Sequence, residues 1–480
     1  MTRTGTLRAA LDRPLARMPV AKGPLPEALP AEQAPSNAPS SLNSSASSSF
    51  GDAANDDALV DFASGPPLSL TLDDKGGQPI SPELFYRDVV VDALEILGSV
   101  VRYRFEGPWS RKAEEETRAL GLVDAILAAG EGSPGAIEAV WQQAASSPDP
   151  FKTWASAFAL ASVLGAEALS AIVVGLEAVP AEALAHVALA SEAISLVPRP
   201  DAAALEERLG ASEHSVCRAV LFELRARRGL VDTPKIAEAL AAPEPALVDA
   251  ALRILDRAPE SYEAVREKVH ALLAHPSRVI AWRAARALTL QGDARPFTSV
   301  LAGDPLAARL GPFALELFVL AGKPDDLRAM DRLVAGMKPT PAVLSAIGRF
   351  GHPRAFSFLT FALSDAALSD AAGGALETLF GDIVPRKERA RPDAWSRAVA
   401  ALGVNPDSRL RRGVPWSPAV VAAEIQTGTL SRGAIALRAD ELRCRAKLAA
   451  ILDLGAWGQD AEGPLRALVR AAISNDEGAR

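Results

Sequence analysis

Arg278–Gly303, RVIAWRAARALTLQGDARPFTSVLAG, decides the fold. In its first half Ile280, Ala284, Ala287 and Leu288 stand at i, i+4, i+7 and i+8, the apolar stripe of an amphipathic helix. Gly292 then supplies the permissive backbone that a helix C-terminus needs, and Asp293 is placed to cap a second helix. Pro296 falls in the first turn of that second helix, where a missing N–H costs little. Phe297, Val300 and Leu301 give it a short stripe of its own. A hairpin of two such helices cannot bury its apolar face alone, so it has to stack on copies of itself.

Working outward, the copies are visible. Turns at Gly292, Gly322, Gly351 and Gly381 are separated by 30, 29 and 30 residues. Upstream, Gly165, Leu196–Val197, Gly229 and Ala258–Pro259 continue the rhythm, with Gly165 to Gly229 spanning 64 residues and Gly229 to Gly292 spanning 63. The segments FALASVLGAEALSAIVVGL, LELFVLAGKPDDLRAMDRLVAG and LSAIGRFGHPRAFSFLTFALSD share one plan: apolar helix, turn with glycine, second apolar helix. A near-constant step of this size is the mark of an α-solenoid.

On these segments the chain resembles HEAT-like helical-repeat proteins over roughly residues 150–381. The resemblance implies an all-α, right-handed α-solenoid of about eight HEAT-like hairpins with atypical helical caps. The run ETRALGLVDAILAAGEGSPGAIEAVWQQAASSPDPFKTWASAFALASVLG resembles the start of a bacterial group of uncharacterised HEAT-repeat proteins, some encoded near type VI secretion genes. In that group a His-Leu-Asp-Gly-Leu-like segment precedes the repeats; here GLVDAIL stands in its place without the histidine. RRGVPWSPAVVAAEIQTGTLSRGAIALRADELRCRAK resembles the group's Pro-Trp-x-Pro-like step and Arg-rich terminal helix. The resemblance brings no catalytic residues.

The expected organisation is a disordered Ser/Pro/Ala-rich tail over 1–80, an N-terminal helical cap over 81–148, the repeats over 149–384 and a basic helical cap over 385–480. The tail rests on composition, chiefly PSNAPSSLNSSASSSF. In the N-terminal cap, Ser81–Pro82 and Ser110 are the helix-start signals, with Glu114, Glu115 and Glu116 near a positive helix end. In the C-terminal cap, Arg432–Leu452 reads as one longer helix and Ala461–Ile473 as the last.

Composition excludes several classes. No uncharged apolar run reaches membrane-spanning length, and the arginine-bearing N-terminus has no apolar stretch of the secretory kind. Two cysteines, Cys217 and Cys444, suggest no disulfide framework. A cytoplasmic protein without membrane insertion is expected. Charge is unevenly spread: Asp382–Lys447 holds 13 Lys/Arg against 7 Asp/Glu, net +6, which leaves −14 for the remainder of a chain totalling −8. Arg438, Arg443, Arg445 and Lys447 read as a solvated basic face, and their functional reading is docking to an acidic partner, either the chain's own repeats or a companion protein.

The histidines His186, His214, His270, His275 and His352 make no metal-ligand spacing, and no metallopeptidase, Walker or nucleophile-elbow motif occurs. No cofactor, metal or catalytic residue is expected. Trp282, beside Arg283 and near Arg286, is read either as core packing or as partner contact. The candidate partner-binding set is therefore Trp282, Arg283, Arg286, Arg438, Arg443, Arg445 and Lys447. The functional expectation is a non-catalytic protein–protein interaction scaffold or adaptor. The alternative is a nucleic-acid-binding or base-modifying enzyme of the DNA-glycosylase kind, or a lyase, on the same architecture; the net-acidic repeats speak against nucleic acid as partner.

Overall fold

The computed structural model describes residues 82–128, 134–403, 405 and 407–479. The tail expected over 1–80 lies outside the described residues. The described chain opens with α1 (Pro82–Glu106), α2 (Lys112–Ala128) and α3 (Pro134–Ala145). Hairpins follow: α4 (Pro150–Ser162) with α5 (Ala166–Glu177), α6 (Leu184–Leu196) with α7 (Ala202–Ala211), and α8 (Ser215–Arg227) with α9 (Thr233–Leu240). Next come α10 (Pro245–Leu255) with α11 (Tyr262–Ala271), and α12 (Arg278–Leu290) with α13 (Arg295–Ala302). A short α14 (Pro305–Leu310) leads to α15 (Ala314–Ala321) with α16 (Leu327–Ala335), α17 (Pro341–Phe350) with α18 (Phe356–Ala362), and α19 (Ser369–Phe380) with α20 (Pro392–Leu402). Each marked glycine from Gly165 to Gly381 falls between consecutive helices, while Leu196 of the Leu196–Val197 turn is the last residue of α6.

The hairpins build layers. Helices α4, α6, α8, α10, α12, α15, α17 and α19 each pack on the next, and we call them the A helices. The helices between them, with α3, form a second layer, in which α3 packs on α5, α5 on α7, and α9 on α11, while α7, α9, α11 and α18 each pack on the A helix that follows. Layering explains the composition: α4 buries every residue from Thr153 to Ser162, so it is enclosed on all sides and carries small residues where neighbours come close. Gly348 in α17 marks such an approach, since a Cβ there would stand 2.7 Å from the backbone of Ala375 in α19. Between α12 and α13, Gly292 takes φ +82°, as the turn requires, whereas the N-cap of α13 is Ala294; Asp293, expected to cap it, stands one residue earlier and accepts the N–H of Arg295 at 2.9 Å.

The all-α expectation holds for the described residues apart from one small ladder. After α20 comes an antiparallel hairpin, β1 (Leu410–Arg411) with β2 (Val414–Pro415), then α21 (Pro418–Gln426), α22 (Arg432–Arg445) and α23 (Gly458–Ala479). These last helices have a core of their own, in which Val421, Ile425, Ile435, Leu442, Leu465 and Leu468 are buried together. The helix expected over Arg432–Leu452 is shorter than expected. It ends at Arg445, Lys447 takes a left-handed φ of 52°, and residues 446–457 run as a non-helical strap. The cause is tertiary: the Arg445 guanidinium is tied to backbone carbonyls of another helix, and Asp453 further on is pinned between arginines. Nor is the C-terminal part confined to one end of the stack. Backbone N–H groups of Trp109 and Ser110, at the corner between α1 and α2, donate to the carbonyls of Leu430 and Gly428 at 2.8 and 3.0 Å. No helix of the described residues is long and apolar enough to cross a membrane.

Candidate functional site: a basic segment along a row of helix C-termini

A helix leaves its last carbonyls without intrahelical partners and carries a partial negative charge there. Stacking hairpins in register repeats that feature once per A helix, and the C-terminal segment runs along the resulting row. The N–H of Leu410 donates to Gly351 O at the end of α17 at 2.6 Å, and those of Arg412 and Gly413 to Thr378 O and Leu379 O of α19, each at 2.9 Å. Arg445 donates to Val319 O at 2.7 Å, Gly322 O at 2.6 Å and Phe318 O at 3.2 Å, closing the end of α15. Cys444 Sγ lies 3.6 Å from Thr289 O in α12, and Trp457 Nε1 donates to Leu196 O at the end of α6 at 3.2 Å. Arginine near a helix C-terminus is favourable within one helix; here it is supplied from a distant part of the chain.

Ion pairs reinforce the row, and many join positions one hairpin apart. Glu223 pairs with Arg253 at 2.5 Å and Asp256 with Arg286 at 2.6 Å, each across 30 residues, while Glu316 pairs with Arg349 across 33. The C-terminal segment completes the ladder. Asp440 of α22 receives both prongs of Arg286 at 2.5 and 2.7 Å, and Asp453 of the strap lies between Arg227 at 2.8 Å and Arg257 at 3.3 Å. Burial raises the Asp453 pKa, but Arg257 and Arg227 outweigh it and hold the carboxyl below its usual range. At Asp440 burial wins, and the carboxyl sits above its usual range despite Arg286.

Two clusters anchor the ends. Around the β hairpin, Arg411 contacts Glu441 at 2.7 Å and Glu424 at 3.0 Å, Arg438 reaches Glu424 at 3.2 Å, and Trp416 Nε1 donates to Glu441 at 2.6 Å. Arg409 and Arg411 also donate to Arg349 O, each at 3.3 Å. Burial, with the like charge of Arg411 close by, pushes Arg438 down to about 10, and burial does the same to Arg409. At the other end Arg104, buried in α1, pairs with Glu116 and with Glu192 of α6, both at 3.0 Å, and donates to Gly455 O. Arg432 reaches Glu192 at 2.6 Å. Burial raises the Glu192 pKa, but Arg432 and Arg104 prevail and hold it at about 2. Lys112 donates to Leu454 O at 3.1 Å and Ala456 O at 2.9 Å; burial, then the charge of Arg104, brings it down to about 7.

The candidate residues therefore have definite places. Arg286 and Arg445 lie in the seam itself. Arg438 is not part of a solvated face: it is buried against Glu424, because α22 turns that side inward. Arg443 is partly buried and comes only within 4.0 Å of Asp440, and Lys447 alone of the four remains exposed. Arg283 pairs with the buried Asp249 at 2.8 Å. Trp282 stacks on Phe313 at 5.4 Å with the rings 6° from parallel, which is packing within the chain. Sequence reasoning missed the acidic half, Glu192, Asp440 and Asp453, and missed Arg104 and Lys112. The usable signal was opposite charges one hairpin step apart, as in Glu223 and Arg253. Among the described residues no group of three or more His, Cys, Asp or Glu is arranged to hold a metal ion. No family model, curated protein or solved structure matches the chain.

Proposed function

We propose that this chain is a non-catalytic protein–protein interaction scaffold or adaptor, built as a right-handed solenoid of about eight HEAT-like hairpins and working in the cytoplasm. One observation carries the reading: the row of A-helix C-termini already holds a polypeptide, the chain's own C-terminal segment, through carbonyl–arginine bonds and ion pairs. That seam is polar, while the C-terminal helices keep an apolar core of their own, and polar contacts of this kind are typical of interfaces between domains. A stack that binds one segment in this manner has the chemistry to bind others on the surfaces left open. A link to type VI secretion belongs to this proposal as the setting in which a partner is sought first.

The test is affinity purification of the full chain from its native cells, followed by co-elution of each recovered protein with the recombinant chain on size exclusion. A stoichiometric protein partner is expected. Recovery of no such partner, or tight and salt-sensitive binding to duplex DNA in a mobility-shift assay, contradicts the reading in favour of the nucleic-acid alternative.

A further inference from the structure

We propose that the cleft between α6, α7 and α8 binds a small carboxylate with an apolar tail. This goes beyond the scaffold reading and does not depend on it. The cleft has a volume of about 210 Å³, and Ile194, Val197, Leu205 and Leu224 give it apolar walls. An apolar cavity of roughly 150 Å³ takes up benzene, so this one has room for a tail a little larger than that ring.

Arg227 and Arg228 stand at the cleft's polar side. Arg227 gives Nη1 to Asp453 at 2.8 Å and keeps part of its side chain open to solvent. A guanidinium carries five N–H donors, so one held by a single acceptor keeps others for an anion at the cleft. Arg228 is held over the cleft by Glu206. Arg199, also in the wall, is committed to Asp201 at 2.9 Å through two nitrogens and to the carbonyl of Val163 at 3.0 Å, so it shapes the cleft without offering a donor. These groups set the sign and size of the ligand's charge. Guanidinium groups call for an anion, while Glu206 in the wall and Asp453 beside Arg227 disfavour a dianion such as a phosphate monoester. A monoanionic carboxylate suits both.

The test is a calorimetric titration of octanoate into the full chain, with 1-octanol as the uncharged comparison. Two variants are measured alongside: Arg227→Gln, which removes the guanidinium, and Ala202→Phe, which fills the cleft from the first residue of α7. Saturable octanoate binding at one site is expected, weakened about tenfold or more in each variant and for octanol. Absence of saturable octanoate binding by the folded wild type overturns the proposal. So does binding untouched by Ala202→Phe, or octanol binding as tightly as octanoate. If Arg227→Gln does not fold by circular dichroism, the Ala202→Phe and octanol measurements decide the matter.

Discussion

Arg286 and Asp440 lie 154 residues apart and meet in a two-pronged ion pair at 2.5 and 2.7 Å. The pair joins the middle of the stack to α22, and its carboxylate is almost fully withdrawn from water. Removing one partner of such a pair strands the other charge, which costs roughly 3–5 kcal/mol, whereas replacing both by apolar residues is often far milder. Arg286→Met, which strands Asp440, should lower stability by about that amount in urea unfolding; Asp440→Met should cost less, since Asp256 still holds Arg286, and the double variant should cost clearly less than the sum of the two. Strict additivity would mean that the two residues do not act on one another.

Lys112 makes stability depend on pH in a definite direction. Its folded pKa of about 7 lies below the ordinary lysine value of 10.5, so the unfolded chain binds more protons between those limits. Stability contributed by this site should therefore rise with pH from about 7 towards 10.5, by about 1.4 kcal/mol per unit, and be flat below 7. Unfolding of the wild type and of Lys112→Met across pH 6–10 isolates the effect, since other groups cancel in the difference. A difference that does not change above pH 7 would show a lysine of ordinary pKa.

Two glycines should fail in different ways. At Gly292 a side chain meets open space, so Gly292→Val should cost only the left-handed backbone, about 1–2 kcal/mol. At Gly348 even a methyl group meets the backbone of Ala375, and Gly348→Ala should cost about 1–3 kcal/mol or more through separation of α17 from α19. Thermal unfolding with calorimetric readout ranks the two. Equal, negligible effects would count against the close approach of those helices.

Much of the fold could be read from the chain because hairpin, glycine turn and apolar stripe are local features; Gly292 and the stripe from Ile280 to Leu288 needed no knowledge of the rest. The seam could not be read that way. Arg445 meets Val319 across 126 residues and Arg104 meets Gly455 across 351, and no local pattern encodes such pairings. The same contacts change what a truncation should do. If hairpins touched only their neighbours, a chain ending at Gly229 would keep its remaining hairpins ordered. Here that cut removes Trp457 from the ring of Phe158, 5.8 Å away, and takes the strap carbonyls to which Arg104 and Lys112 donate. The fragment should remain helical by circular dichroism yet melt without a sharp transition; a cooperative melt close to that of the full chain would restore the neighbour-only picture.

The C-terminal segment is held along the A-helix C-termini by carboxylates reaching into paired arginines. Hydrogen exchange with peptide-resolved mass spectrometry tests it most directly, comparing the full chain with an Asp440→Asn, Asp453→Asn variant. Faster exchange is expected in the strap at 446–457 and in the last turns of α8, α10 and α12, with α7, α9 and α11 unchanged. Unaltered exchange in the strap and those last turns, or an even increase over all helices, would contradict it.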